Sequence, residues 1–187
     1  MKLYTNAKSR GQVISQLLRL LDVEYEEVSI SFGKEMKSNE FLKLNPMGKI
    51  PVLVDGETVI YETGAICIYL CDKFPLKDMA PQIGSPNRGE YLRWMFFGAG
   101  PLDFSINLKR LKLDSENKGF LGYSSLENII DIIVSHLKRT PYFLGQELSV
   151  VDLYIGTLLK WGSIDGAIPK NEILSSYISS IDEALKL

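Results

Sequence analysis
Histidine and cysteine are almost missing from this chain of 187 residues, which holds one histidine, His136, and two cysteines, Cys67 and Cys71. A structural zinc site draws several thiolate or imidazole ligands from paired motifs, and no such set can be composed here, so no metal is expected. Cys67 and Cys71 stand at i and i+4 of an expected helix, a geometry that suits a disulfide poorly. They read as core fillers in a reducing compartment. Long apolar runs are also lacking. Nothing approaches the stretch of about 18 residues that spans a bilayer, so no membrane partner is expected. Positive charge is not concentrated anywhere, and the net charge is −2. Nucleic acid is therefore not an expected partner. Met1-Lys2-Leu3-Tyr4-Thr5-Asn6 has neither a signal core nor transit-peptide character, which makes a cytoplasmic location the expectation.

What is present is enough for a packed core. Hydrophobic residues make up 45% and charged residues 24%, a globular balance rather than a disordered one. The first part of the chain alternates strand and helix signals. Lys2 to Thr5 reads as a short strand, and Val13, Ile14, Leu17, Leu18 and Leu21 mark one face of a helix. Tyr25 to Ile30 alternates like a strand, and Phe41-Leu42 belongs to a short helical turn. Val52-Leu53-Val54, Asp55-Gly56 and Thr58-Val59-Ile60 form a hairpin signal, because Asp-Gly tolerates the positive φ of a tight turn. A helix is expected from Glu62 to about Phe74. Pro75, Pro81, Gly84, Ser85 and Pro86 then punctuate the chain. Beyond them only helical periodicity remains, over residues 87–111, 124–139, 149–163 and 171–186. The third of these is nearly all apolar, so it is expected to be central and buried. Ser149-Val150-Val151-Asp152 reads as its capping box, with Leu148 and Leu153 at the hydrophobic-staple positions. Domains are accordingly expected at 1–76 and 87–187, with a linker at 77–86.

The most informative stretch is Asn45-Pro46-Met47-Gly48-Lys49-Ile50-Pro51-Val52-Leu53-Val54-Asp55-Gly56, followed by Glu62-Thr63-Gly64-Ala65-Ile66. Pro51 cannot donate to a sheet ladder and holds Ile50 extended. A cis bond at this position leaves the Ile50 backbone N–H and C=O facing outward, able to pair with a ligand's amide. Glu62 opens a helix, where free N–H groups bind carboxylates.

This combination resembles the glutathione-binding half of cytosolic glutathione transferases, and the bacterial theta- and beta-like members in particular. Arg93 to Leu102 looks like the first helix of their second domain. Phe143-Leu144-Gly145 ahead of the capping box fits as well, so the likeness covers almost the whole chain. The resemblance implies an α/β thioredoxin-like first domain followed by an all-α helical domain. It implies glutathione as co-substrate, bound by Ile50 and Pro51 at the cysteinyl backbone and by Glu62 and Thr63 at the γ-glutamyl end. Lys37 and Lys49 are implied at the glycine carboxylate; for either, a solvated surface charge is the competing reading. A thiolate must be stabilised, since a free thiol is mostly protonated at neutral pH. The loop Asn6-Ala7-Lys8-Ser9-Arg10-Gly11 offers Ser9 as hydroxyl donor and catalytic residue, with Arg10 and the helix dipole adding positive potential. Beta-type members often carry cysteine here and other classes tyrosine. Ser9 as a plain cap, or Asn6, Thr5 or backbone amides near the sulfur, stay open.

The aromatic residues Tyr91, Trp94, Phe96 and Phe97 read first as core. Trp94, Phe97, Pro101 and Phe104 are the candidates for an apolar pocket that receives a small electrophile. The expected activity is transfer of the glutathione thiolate to small apolar electrophiles, or a related peroxidase or thiol-transfer reaction. The alternative is a non-catalytic interaction module on the same fold, like the stringent-starvation proteins that bind polymerase. The resemblance also implies a two-fold homodimer.

Overall fold
The computed structural model describes residues 1–113 and 122–186. They divide into two compact units, Met1–Asp78 and Met79–Leu187.

The first unit is built on a four-stranded mixed sheet. Its strands are β1 (Lys2–Thr5), β2 (Glu26–Ser29), β3 (Val52–Asp55) and β4 (Thr58–Tyr61), in the order β2-β1-β3-β4. β1 runs parallel to β2 through the crossover helix α1 (Gly11–Leu20), and antiparallel to β3. β3 and β4 form the hairpin that Asp55-Gly56 announces, with Gly56 at φ 60°. Side chains alternate across the sheet. Val52 joins Ile30, Met36 and Phe41 in a cluster on one face, with Tyr4 packed against it. Its neighbour Leu53 therefore points to the opposite face, as does Leu3, opposite Leu53 in register. Both are fully buried, together with Val13, Ile14, Leu17 and Leu18 of α1 and Ile66, Cys67 and Leu70 of α3 (Thr63–Lys73). Cys67 and Cys71 are both buried free thiols. Burial pushes the Cys67 thiol far above its usual range, so it stays protonated and unreactive. The short helix α2 (Asn39–Leu44) begins at Ser38, whose hydroxyl accepts from the Phe41 N–H. The hairpin is tied to α3 through Asp55, which accepts from Tyr69 Oη at 2.6 Å and pairs with the Lys73 ammonium.

The second unit is helical. Its elements are α4 (Arg88–Phe97), α5 (Asp103–Arg110), α6 (Leu126–Leu137), α7 (Val150–Ile164) and α8 (Glu172–Ala184). The helical stretch read over residues 87–111 is interrupted. Gly98–Leu102 takes a wider, π-type turn between α4 and α5. Pro101 supplies the reason, since it has no N–H to bond the carbonyl one α-turn back, and the flanking glycines favour no regular turn. The aromatic stripe splits accordingly: Tyr91 and Trp94 are core, whereas Phe96 is 68% exposed. α7 is the buried helix its composition demands, with Leu153, Ile155 and Leu159 nearly inaccessible. Ser149 and Asp152 form its capping box. Asp152, fully buried, does more than cap. Its carboxylate accepts from the Ser149 N–H at 2.9 Å, the Ser149 hydroxyl at 2.6 Å, the Phe143 N–H at 2.9 Å and Tyr177 Oη at 2.8 Å. One side chain thus joins the start of α7, the loop before it and α8. Nearby, Trp94 packs edge-on to His136 and Phe143, with ring centroids 4.9 and 4.6 Å away.

Among the described residues no helix is long and apolar enough to cross a membrane.

Candidate functional site
Strand register assembles the site in the first unit. Val52 lies opposite Tyr61, so Pro51 and Glu62 are the next residues out at the same end of the β3–β4 ladder. Tyr4 lies opposite Val52, so β1 also ends there and the loop of residues 6–10 leaves from that edge. Three segments far apart in sequence thus meet at one sheet end: the loop after β1, the approach to β3 and the start of α3.

The approach to β3 is held by Asn45. Its side chain donates to the Lys49 carbonyl at 2.7 Å and accepts from the Met47 N–H at 3.0 Å. Asn45 is 2% exposed, a structural residue of the site to which the sequence alone assigns no role. The signal was an Asn-Pro pair, a common turn initiator. Gly48 is required here for two reasons. It sits at φ 58°, and a Cβ would come within 2.7 Å of both the Met36 carbonyl oxygen and Lys37 Nζ. Lys37 Nζ itself donates to the Met47 carbonyl at 3.1 Å. Its ammonium braces the loop while remaining exposed. Lys49 is exposed. The Ile50–Pro51 bond is cis.

Glu62 precedes α3 with φ 75° and ψ 115°, a conformation costly for a residue with a side chain. Its side chain is exposed and takes no partner among the described residues, so the fold draws no visible benefit from it. The Glu62 carbonyl accepts the Ile66 N–H and starts the helix. That leaves the N–H groups of Thr63, Gly64 and Ala65 without intrahelical acceptors. Thr63 and Gly64 are buried. An anion here meets oriented amides and the positive end of a helix dipole.

Ser9 is turned into its own loop. Its hydroxyl donates to the Asn6 carbonyl at 2.7 Å and accepts from the Gly11 N–H at 3.1 Å. Asn6 is equally committed, donating to the Ile30 carbonyl at 3.1 Å and accepting from the Lys8 N–H at 3.0 Å. Thr5 is 2% exposed, and its Oγ1 has no partner among the described residues. α1 approaches β1 so closely that a Cβ on Gly11 would lie 1.8 Å from Thr5 Oγ1. Ser9, Lys37, Lys49, Ile50, Pro51, Glu62 and Thr63 all belong to the first unit.

The four pocket candidates of the second unit are not alike. Trp94 is 1% exposed and packs edge-on to Phe97 at 5.3 Å. Pro101 sits in the π-type turn, and Phe104 is 50% exposed, edge-on to Tyr123. Among the described residues, no group of three or more His, Cys, Asp or Glu could hold a metal ion.

Comparison with known proteins agrees with this architecture. Residues 1–72 match the family described as glutathione S-transferase, N-terminal domain. The chain is 32% identical over 163 residues to an uncharacterized GST-like protein, YncG, of Escherichia coli K12, covering 81% of this chain and 78% of that one. It is 48% identical over 149 residues to glutathione S-transferase 1 of Dianthus caryophyllus, covering 74% of this chain and 65% of that one. A glutathione transferase structure from Methylococcus capsulatus superposes with a TM-score of 0.82 at 23% identity, over 99% of this chain and 97% of that one, a likeness of fold.

Proposed function
The chain belongs to the glutathione S-transferase family, and from that premise we propose that it is an enzyme transferring the glutathione thiolate to small apolar electrophiles in the cytoplasm. The observation that carries this reading is the shared sheet end. There the Ser9 loop, Ile50-Pro51 and Glu62-Thr63 converge by register. The thiolate attacks an electrophilic carbon, the S–C bond forms, the leaving group departs with its electron pair, and the thiol proton passes to solvent.

Each residue then has a task. Ile50 presents its backbone to the cysteinyl amide beside Pro51. Thr63 and the α3 amides hold the γ-glutamyl carboxylate, while Glu62 meets the γ-glutamyl ammonium. Lys49 supplies positive potential for the glycine carboxylate, with Lys37 bracing the loop beside it. Phe97, Pro101 and Phe104 are the proposed apolar surface for the electrophile, with the buried Trp94 packed edge-on behind Phe97. A two-fold homodimer is part of the same proposal.

Ser9 is the proposed thiolate donor, and its geometry sets a condition. A serine hydroxyl has one proton, and Ser9 gives it to the Asn6 carbonyl. Turning it to a thiolate gives up a neutral hydrogen bond of about 1 kcal/mol for a charged one of roughly 1.5–3 kcal/mol. The exchange is favourable once the anion is present. This same geometry favours a second reading, in which the chain binds glutathione without activating it and serves as an interaction module.

Retention on immobilised glutathione, followed by a conjugation assay with a chloronitroarene, separates the two. An active enzyme is retained and turns over; retention without turnover establishes the second reading. Ser9→Ala should raise the pH at which bound glutathione ionises, read by thiolate absorbance, with affinity nearly intact. An unchanged titration removes Ser9 from the donor role.

A further inference from the structure
One buried polar atom of the first unit stands unpaired beside the proposed thiolate donor. Thr5 closes β1 and is 2% exposed, and its Oγ1 has no hydrogen bond among the described residues. A hydroxyl buried without a partner costs stability, and valine would fill almost the same volume without that cost. The Thr5 backbone is committed to the sheet, its carbonyl accepting the Ile30 N–H at 2.8 Å. The side chain points away from the Tyr4 face, to the side of the sheet that Leu3 shares. Gly11, the first residue of α1, shows what the hydroxyl faces there. A Cβ on Gly11 would lie 1.8 Å from Thr5 Oγ1 and 3.1 Å from Ser9 Oγ. Both hydroxyls thus border the one space that glycine leaves open, near each other and not bonded.

We propose that Thr5 is a positioning residue for Ser9. When Ser9 turns its proton from the Asn6 carbonyl to the glutathione sulfur, the Thr5 hydroxyl donates to the Ser9 oxygen and holds it in that orientation. This rests on the reading of Ser9 as thiolate donor and places a second hydroxyl behind it. The hydrogen-bonding capacity fits. Ser9 Oγ has one proton and two lone pairs, and the Gly11 N–H takes one lone pair at 3.1 Å. The second lone pair remains for the Thr5 proton. The Asn6 carbonyl is not stranded by the turn, because it also accepts the Ser9 N–H at 2.9 Å. A hydroxyl that accepts a hydrogen bond donates a stronger one, since each bond polarises the next. Thr5 therefore makes Ser9 a better partner for an anion. Buried as it is, it acts through Ser9 and not on the sulfur.

The test is a double-mutant cycle on the full chain with bound glutathione, read by the pH at which thiolate absorbance appears. Thr5→Val should leave about two- to threefold less thiolate at a pH below the wild-type midpoint. With a chloronitroarene, kcat should fall by the same factor and the KM for glutathione should hold. Thr5→Ser, which keeps the hydroxyl, should titrate like the wild type. In a Ser9→Ala background, Thr5→Val should shift nothing further. The urea midpoint of Thr5→Val should equal or exceed that of the wild type, since an unpaired buried hydroxyl is gone. A shift in Ser9→Ala with none in Thr5→Val would overturn the inference alone. A Thr5→Val shift that persists without the Ser9 hydroxyl, or a Thr5→Ser variant that behaves like Thr5→Val, would overturn it too. A lower urea midpoint in Thr5→Val would give the hydroxyl a structural role instead. If Ser9→Ala titrates unchanged, the donor reading itself fails and the inference falls with it.

Discussion
Glu62→Gly separates stability from binding at the site. In the folded chain Glu62 occupies φ 75°, ψ 115°, and its side chain makes no capping hydrogen bond to α3. A non-glycine residue held so far from the favoured regions costs on the order of 1–3 kcal/mol. Glycine adopts the same conformation without that cost, but orders a freer unfolded chain at about 0.5–1 kcal/mol. The two terms nearly cancel or leave a gain, so the variant should unfold at the same or a slightly higher urea concentration. Binding is a different matter. Removing the carboxylate strands the γ-glutamyl ammonium, and a lost charged hydrogen bond is worth roughly 1.5–3 kcal/mol. The glutathione dissociation constant should rise by about 10- to 150-fold. Calorimetry with glutathione and urea unfolding followed by far-ultraviolet dichroism measure the two quantities on one preparation. A variant that binds normally would remove Glu62 from the site. A variant destabilised by more than about 1 kcal/mol would show that the side chain supports the fold after all.

Thr63→Val keeps the shape of a buried side chain but removes its hydroxyl; glutathione affinity should fall by about 1–3 kcal/mol, and unchanged calorimetric affinity would exclude the hydroxyl from carboxylate binding. Asp152→Ala leaves four donors around an empty position and should cost about 3–5 kcal/mol of stability in urea unfolding; a loss below about 1 kcal/mol would mean the surroundings relax freely. Burial raises the Asp152 pKa, so the wild-type chain gains stability from protonating it as pH falls, and its advantage over Asp152→Ala should widen from neutral pH towards about pH 4. His136 runs the other way: its folded pKa is depressed by burial, so the unfolded chain takes up the proton first and stability falls as pH drops below about 6.5, a slope that His136→Gln should flatten in urea midpoints. Gly11→Ala drives a Cβ into Thr5 and should lower stability by about 1–3 kcal/mol, with partial rescue by Thr5→Ala; additive losses would show that the two do not meet.

The fold class and most of the elements were legible in the chain because their signals are local, whereas the break of residues 87–111 into α4 and α5 at Gly98–Leu102 was not. Leu3 and Leu53 alternate with Tyr4 and Val52, the Asp55-Gly56 pair closes a hairpin, and the Ser149–Asp152 spacing starts the buried helix wherever that helix packs. Glu62 and Thr63 stood out through their spacing from Ile50-Pro51 and the family resemblance that this spacing carries, since an acid at the mouth of a helix alone is an ordinary structural signal. What only the tertiary structure decided concerns groups whose partners lie far along the chain. Asp152 reads as a cap, yet two of its donors, Phe143 and Tyr177, come from other elements. His136 has no partner motif in sequence, and its Phe143 and Trp94 neighbours arrive by helix packing. The requirement for glycine at position 11 follows from a contact with β1 that no local pattern encodes. Ser9 shows the difference within a single residue. The chain places a hydroxyl where a helix begins, but the folded loop decides where its one proton points, and that proton sits on the Asn6 carbonyl until a stronger acceptor arrives.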